Sequence, residues 1–454
     1  MPKVISSAPI AMSFKSATPP SGLNRRALLA GLGAGSLLQA APGHAATELP
    51  VSNRELWSWT RAQQLFNPQL AYLDVATSGP GLRSALVASY RQQEDAGADI
   101  EAYRRQNFSG QAIGALAKRL AELLDCDADE VTLTRGASEA LNIVANGLEL
   151  AAGDEIVTTG REHGSAINPW LLQAARRGVI VKQVPLPTPL EDNAQALGLL
   201  ASAVTDRTRV IAISHLQHTD GAVLPAAEIC AFARQRNILS VVDGAQACGS
   251  LDASVRAIDC DFYAASLHKW LNGPAGTGLL YVRRERLNQL WPLAVDSAYG
   301  WSAAAADSAT ITVETLQREH WPATWRKFSW HGPDFGPLLK ALSAALDFRA
   351  ALGADRIEAR IRELAIYARL RLQPLSGIEL LTPAQPGMWG GIVAFRPRSG
   401  SVRELAERLT RRERAIVSAL EHPPTQFAAV RACFHIYNSH DDVERLVQGV
   451  QKHS

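Results

Sequence analysis

The chain carries 38 arginines but only eight lysines, and one of those lysines sits in an unusual setting. Lys269 follows the apolar run Phe262-Tyr263-Ala264-Ala265 and precedes Trp270-Leu271 and the stretch Gly273-Pro274-Ala275-Gly276-Thr277-Gly278. Apolar surroundings lower a lysine pKa, and the neutral amine can condense with an aldehyde. Lys118 and Lys340 fall in helical patterns, Lys182 in a short strand and Lys452 in the tail. Asp243 ends the apolar run Ile238–Val242 and opens Asp243-Gly244-Ala245-Gln246. Asp-Gly after a strand makes a turn, and a carboxylate there can also pair with a protonated ring nitrogen, keeping that ring an electron sink. Gln246 would then reach a ring hydroxyl. Thr134-Arg135-Gly136-Ala137-Ser138-Glu139 passes from strand to helix through a glycine, with Ser138 expected at the N-cap. Free N–H groups and the helix dipole make such an entry an anion site, although an ordinary capping box has the same pattern. Ser266 and His268 add donors to the same anion. His163, at another strand exit, offers a ring to stack on a flat heterocycle. Arg431, near the C-terminus, supplies the planar fork that an amino-acid carboxylate needs.

The elements that must position these groups alternate. Val131–Thr134, Glu155–Thr158, Val179–Val184, Val210–Ser214 and Ile238–Val242 read as strands. Ala112–Leu124, Ser138–Leu148, Trp170–Arg177 and Ala226–Arg236 read as helices between them. Strand-helix alternation predicts a mainly parallel sheet covered on both faces, with ligands beyond the carboxyl ends of its strands. Gly136, His163, His215 to His218 and Asp243 all fall at those ends. After Phe335 the pattern changes to helices at Gly336–Leu352, Asp355–Leu372 and Val402–Thr410, strands at Gly391–Phe395, Ala415–Val417 and Phe434–Tyr437, and a last helix from Asp441. That order predicts a smaller α+β domain.

Length and composition allow two domains: 454 residues, 47% apolar, 20% charged, net charge +2. Neither nucleic acid nor a membrane span is called for. The start is distinct. No Asp or Glu precedes Glu48, whereas Lys3, Lys15, Arg25 and Arg26 do. The arginine pair opens a short apolar run, Ala27–Ala41, and Gly43-His44-Ala45 fits a signal-peptidase site. The expectation is a twin-arginine signal over residues 1–45, hence a periplasmic address and the translocation machinery as a partner. Without those residues the net charge falls from +2 to −2. Five scattered cysteines have no metal-ligand spacing and predict no disulfide.

Together, and in this order, these motifs resemble the class V aminotransferase family, which includes cysteine desulfurases and isopenicillin N epimerase-like proteins. The blocks Val242–Gln246, Ser266–Trp270 with Gly273–Gly278, and Arg431 with Tyr437-Asn438 carry the resemblance, supported by Gly136–Ser138, Glu162-His163 and Ser214-His215. It implies the aspartate-aminotransferase (type I) α/β fold: an N-terminal segment over 46–71, a large domain over 72–334 and a small domain over 335–454. It also implies pyridoxal 5′-phosphate (PLP) as cofactor and a homodimer with the site at the interface. By the same resemblance, Lys269 carries the cofactor as a Schiff base and shuttles protons. Asp243 meets the pyridine nitrogen, Gln246 the phenolic oxygen, and His163 stacks on the ring. Gly136, Ala137, Ser138, Ser266 and His268 hold the phosphate, and Arg431 takes the substrate carboxylate. Two departures stand out. His218 replaces the asparagine that many relatives keep near the cofactor oxygen, and Trp330–Asp334 lacks the threonine that reaches the partner's phosphate. Arg403–Ala429 contains no cysteine, which argues against desulfuration. The expected activity is transamination or oxidative deamination of an α-amino-acid unit in a secreted small molecule, such as a siderophore glutamate side chain. An epimerase-like racemase and a non-catalytic binding protein are the alternatives.

Overall fold

Short, nearly continuous apolar runs build the centre of the molecule. The structure, a computed structural model, describes residues 49–50, 52–107, 110–295, 325–328, 336–422 and 425–454. The expected signal at residues 1–45, the segment 330–334 and the boundary near 335 lie outside them. The strands are β1 (Ala71–Tyr72), β2 (Val131–Thr134), β3 (Glu155–Thr159), β4 (Ile180–Val184), β5 (Thr208–Ser214), β6 (Leu239–Asp243), β7 (Phe262–Ser266) and β8 (Gly278–Val282), followed by β9 (Ile378–Leu380), β10 (Ile392–Pro397), β11 (Ala415–Ile416), β12 (Ser418–His422) and β13 (Phe427–Cys433).

Seven strands form one sheet in the order β2-β8-β7-β6-β5-β3-β4. The pairs β3–β4, β3–β5, β5–β6 and β6–β7 are parallel, and β8 runs antiparallel to both of its neighbours. Alternate side chains of a strand go to opposite faces, and here both faces are buried. Ile211, Ile213, Val242, Tyr263 and Leu279 join one core. Val210, Ala212, Val241, Phe262 and Leu280 join the other. A mainly parallel sheet needs this double cover, and the α/β type I architecture expected from the sequence is the one observed.

The C-terminal part has its own antiparallel sheet, β12-β13-β10-β9, while β1 pairs with β11. The helices Ala354–Leu372, Val402–Arg412 and His440–His453 bury their apolar faces against it. Arg431 lies in β13, directly opposite Ala394 and Ser418.

Three local expectations are corrected. The helix expected from Trp170 begins at Gly164 and contains Pro169, which forfeits one backbone bond without ending it. The strand expected over Phe434–Tyr437 lies upstream at Phe427–Cys433. Phe434, Ile436 and Tyr437 are buried all the same, and apolar content alone does not distinguish a buried turn from a strand. Ser138 is not an N-cap. The helix runs from Ala137 to Gly147 with Gly136 at its cap, and the cap's task falls to Ser266 of β7, whose Oγ accepts from the Ala137 N–H at 3.1 Å.

Candidate active site

The carboxyl ends of β2, β3, β5, β6 and β7 all point to one edge of the large sheet, and β13 brings Arg431 to the same place. There they enclose a cavity of about 380 Å³ lined by Lys269, Asp243, His163, His218, Gln246 and Arg431, with Ala137, Ser138, Ser266 and His268 at one end. That size suits a small organic molecule. Of the residues given a cofactor or substrate role from sequence, only Gly136 does not line it, standing behind the cradle as the helix cap, and of the strand-end run 215–218 Leu216 and His218 line it while His215 and Gln217 do not.

The anion end is built by close approach. A Cβ on Gly278 would lie 2.3 Å from Gly136 Cα, so only glycine lets β8 run against the turn that opens the helix Ala137–Gly147. Ala137, Ser138, Ser266 and His268 line the same cavity beside that helix entry, and hydroxyls at a helix N-terminus are donors of the kind a phosphate dianion takes. The His268 Nδ1 is buried without a hydrogen-bond partner among the described residues.

At the floor, Asp243 is buried and its Oδ1 accepts from the Ala245 N–H at 2.9 Å. Burial raises its pKa above the usual carboxylate value, and among the described residues no cation forms a salt bridge with it. A buried carboxylate in that state calls for a cationic N–H donor. The Asp243-Gly244 turn is held tightly, because a Cβ on Gly244 would meet the Tyr263 ring at 2.0 Å. The Lys269 side-chain amine has no hydrogen bond or ion pair among the described residues. Burial lowers its pKa, with Asp243 opposing the shift and Arg431 adding to it. The neutral amine is therefore favoured relative to a free lysine.

His163 caps the helix Gly164–Arg177, its Nδ1 accepting from the Ser165 N–H at 3.2 Å. The neutral ring consequently keeps its proton on Nε2. Partial burial and the Lys269 ammonium hold its pKa below the ordinary value. Its neighbour Glu162 accepts from Thr159 Oγ1 (2.6 Å), Gln217 Nε2 (3.1 Å) and both the hydroxyl and N–H of Ser214. Those bonds tie the His163 turn to the ends of β3 and β5. His218 meets His163 edge-on at 5.0 Å. Burial, then His163, Arg431 and Lys269, push its pKa well below the usual value. The loop that carries it is pinned by the buried ion pair Arg161–Asp220 at 2.7 Å. Gln246 donates to the Ala76 carbonyl (3.0 Å) and accepts from the Trp270 indole (2.8 Å), which leaves one N–H for the cavity.

Arg431 has partners that sequence reasoning missed. Its Nη2 donates to Asp74 Oδ1 (2.7 Å) and Thr77 Oγ1 (2.8 Å), and its Nη1 to the His218 carbonyl (3.1 Å). Asp74 and Thr77 follow β1, more than 350 residues away in the chain, and no local motif announces them.

The family profile described as aminotransferase class-V matches residues 71–446, which contain every residue of this cavity. The chain belongs to the class V aminotransferase family. Isopenicillin N epimerase of Streptomyces clavuligerus is 34% identical over 87% of this chain and 97% of that protein. A cysteine desulfurase of Cronobacter sakazakii is 30% identical over 84% of this chain and 92% of its own length. Among solved structures, a cystine C–S lyase variant with glycine covalently linked to its PLP cofactor superposes with a TM-score of 0.75 at 25% identity, covering 87% of this chain and 99% of that one. The cysteine desulfurase of Escherichia coli gives 0.73 at 25% identity, covering 87% and 98%.

Class V enzymes depend on PLP, and this class V cavity suits that group. It offers a phosphate-sized nest at one end, a buried carboxylate needing a cationic N–H at the floor, and an unengaged amine beside it. None of the five cysteines lines the cavity. Cys433, two residues beyond Arg431 in β13, is fully buried, and burial pushes its pKa up to about 12.

Proposed function

We propose that this enzyme takes a proton from Cα of an α-amino-acid unit, in a transamination that passes the amino group to a 2-oxo acid, or an oxidative deamination that releases ammonia with dioxygen as oxidant, of a secreted small molecule such as a siderophore glutamate side chain. The observation that carries the reading is Lys269, an amine without a partner among the described residues, held in one cavity with the buried carboxylate of Asp243 and the guanidinium of Arg431. When bound, PLP supplies an aldehyde for the amine and an electron-poor ring. Lys269 then holds or moves the Cα proton at Nζ, and burial, which lowers its pKa, favours the neutral amine that a base needs. Asp243 holds the proton on the ring nitrogen, Gln246 donates to the ring hydroxyl, and His163 covers the ring. Ser138, Ser266 and His268 bind the phosphate, and Arg431 binds the substrate carboxylate. The arginine-pair leader and the paucity of free keto acids outside the cytosol support an exported, larger substrate. A homodimer belongs to the same reading. Leu86, Val87 and Tyr90, exposed together on the helix Arg83–Ala98, support it.

Mass spectrometry of periplasmic small molecules from cells with and without the protein tests this. A species whose amine has become a carbonyl, present only with the enzyme, is expected. If no amine-bearing metabolite changes, the reading fails. Epimerisation is the second reading, favoured by the near-complete coverage of isopenicillin N epimerase and by two histidines beside Lys269. It predicts an unchanged mass with inverted configuration at Cα.

A further inference from the structure

The Arg431 guanidinium is not free to grip a ligand as a fork. Both hydrogens of Nη2 are taken, by Asp74 Oδ1 and Thr77 Oγ1, with Ser418 Oγ a further acceptor at 3.4 Å. One hydrogen of Nη1 goes to the His218 carbonyl, and Nε is buried without an acceptor. A bidentate carboxylate needs two neighbouring N–H groups, and every neighbouring pair that includes Nη2 is blocked. Asp74 is itself built into place. The Ser418 hydroxyl donates to its Oδ2 at 2.8 Å, and its carbonyl accepts from the Thr77 N–H at 3.1 Å. The flanking backbone is clamped by Ile416 on one strand and Cys433 on another. The ion pair is nearly closed to solvent, with the Arg431 side chain 4% exposed.

We propose that Asp74 is a specificity-determining residue, a resident carboxylate that a substrate carboxylate must displace from Nη2 of Arg431 before it can bind bidentately. The inference rests on Arg431 being the carboxylate site. It has a consequence opposite to that of a merely structural aspartate. Removing a negative charge from a buried pair leaves the guanidinium uncompensated and open, so an incoming anion gains. Asp74 therefore weakens binding of every carboxylate and narrows the gap between a carboxylate and its neutral amide. Only ligands with enough further contacts would reach the fork.

The test is isothermal titration of the cofactor-loaded full-length protein with glutarate and with glutaramide, neither of which has an amine to react. Asp74→Asn should tighten glutarate about tenfold and leave glutaramide within about twofold. Ser418→Ala keeps the charge but loosens Asp74, and should tighten glutarate by a smaller factor, which keeps the test available should Asp74→Asn fold poorly. In an Arg431→Gln background neither change should matter. If Arg431→Gln weakens glutarate while Asp74→Asn and Ser418→Ala leave it unchanged or weaker, the proposal for Asp74 is overturned and the carboxylate role of Arg431 stands. If Arg431→Gln does not weaken glutarate, that role falls and the inference falls with it.

Discussion

Asp243 shows how a single residue trades stability for chemistry. Burial raises its pKa, so the folded, cofactor-free protein binds its proton more tightly than the unfolded chain does. The ionised form therefore carries a cost that is absent below the unfolded carboxyl value and complete above the folded one. Asp243→Asn keeps the bond from Ala245 and removes that cost. In thermal melts of cofactor-free protein, Asn should raise Tm by roughly 1–3 °C at neutral pH, with the gain vanishing as pH falls below about 4. A gain independent of pH would mean that the charge is not what is strained. Asp243→Ala in the loaded enzyme should keep the cofactor absorbance yet lose turnover by about 10²-fold or more, and parental turnover would reduce Asp243 to a turn residue. Lys269, Asp243 and the 136–138 turn were legible in sequence because each stands within a few residues of its own strand end. Asp74 was not. Its meaning depends on Arg431, 357 positions away, and only folding makes them neighbours.

At the scale of elements, β2 to β6 of the large sheet could be read from apolar runs with sharp ends, whereas β7 stood only as an apolar run and β8 was hidden behind the glycines before it. The short strands β9 and β12 could not, since their residues are partly polar and lean on β10 and β13 for pairing. Two glycines carry the close approaches that shape the site. Gly244→Ala drives a methyl into the fully buried Tyr263 ring, and Gly278→Ala drives one into the Gly136 backbone, where no side chain can yield. Both should destabilise by about 3 kcal/mol. They should differ in chemistry. Gly278→Ala disturbs the anion nest and should weaken cofactor retention in dialysis, whereas Gly244→Ala moves Asp243 and should act mainly on turnover. Equal retention in the two variants would contradict the assignment of the nest.

Across the whole molecule, the cavity draws on one edge of a seven-stranded sheet, on β13 of a separate four-stranded sheet and on the segment after β1. No single stretch of chain contains the site, which is why the family motifs located Lys269, Asp243 and Arg431 while the partners of Arg431 needed the structure. All the residues that line the cavity lie after position 45. A chain beginning at residue 46 should therefore fold, bind cofactor and turn over as the full chain does, whereas Arg25→Lys with Arg26→Lys should leave active protein in the cytoplasmic fraction. Recovery of that double variant from the periplasm would remove the twin-arginine reading. The central claim is that Lys269 is the cofactor-bearing amine, and peptide mapping after borohydride reduction tests it most directly. Reduction should fix the cofactor to the peptide that contains Lys269, and Lys269→Ala should give no labelled peptide. Label on any other lysine, or undiminished labelling in Lys269→Ala, would contradict the account.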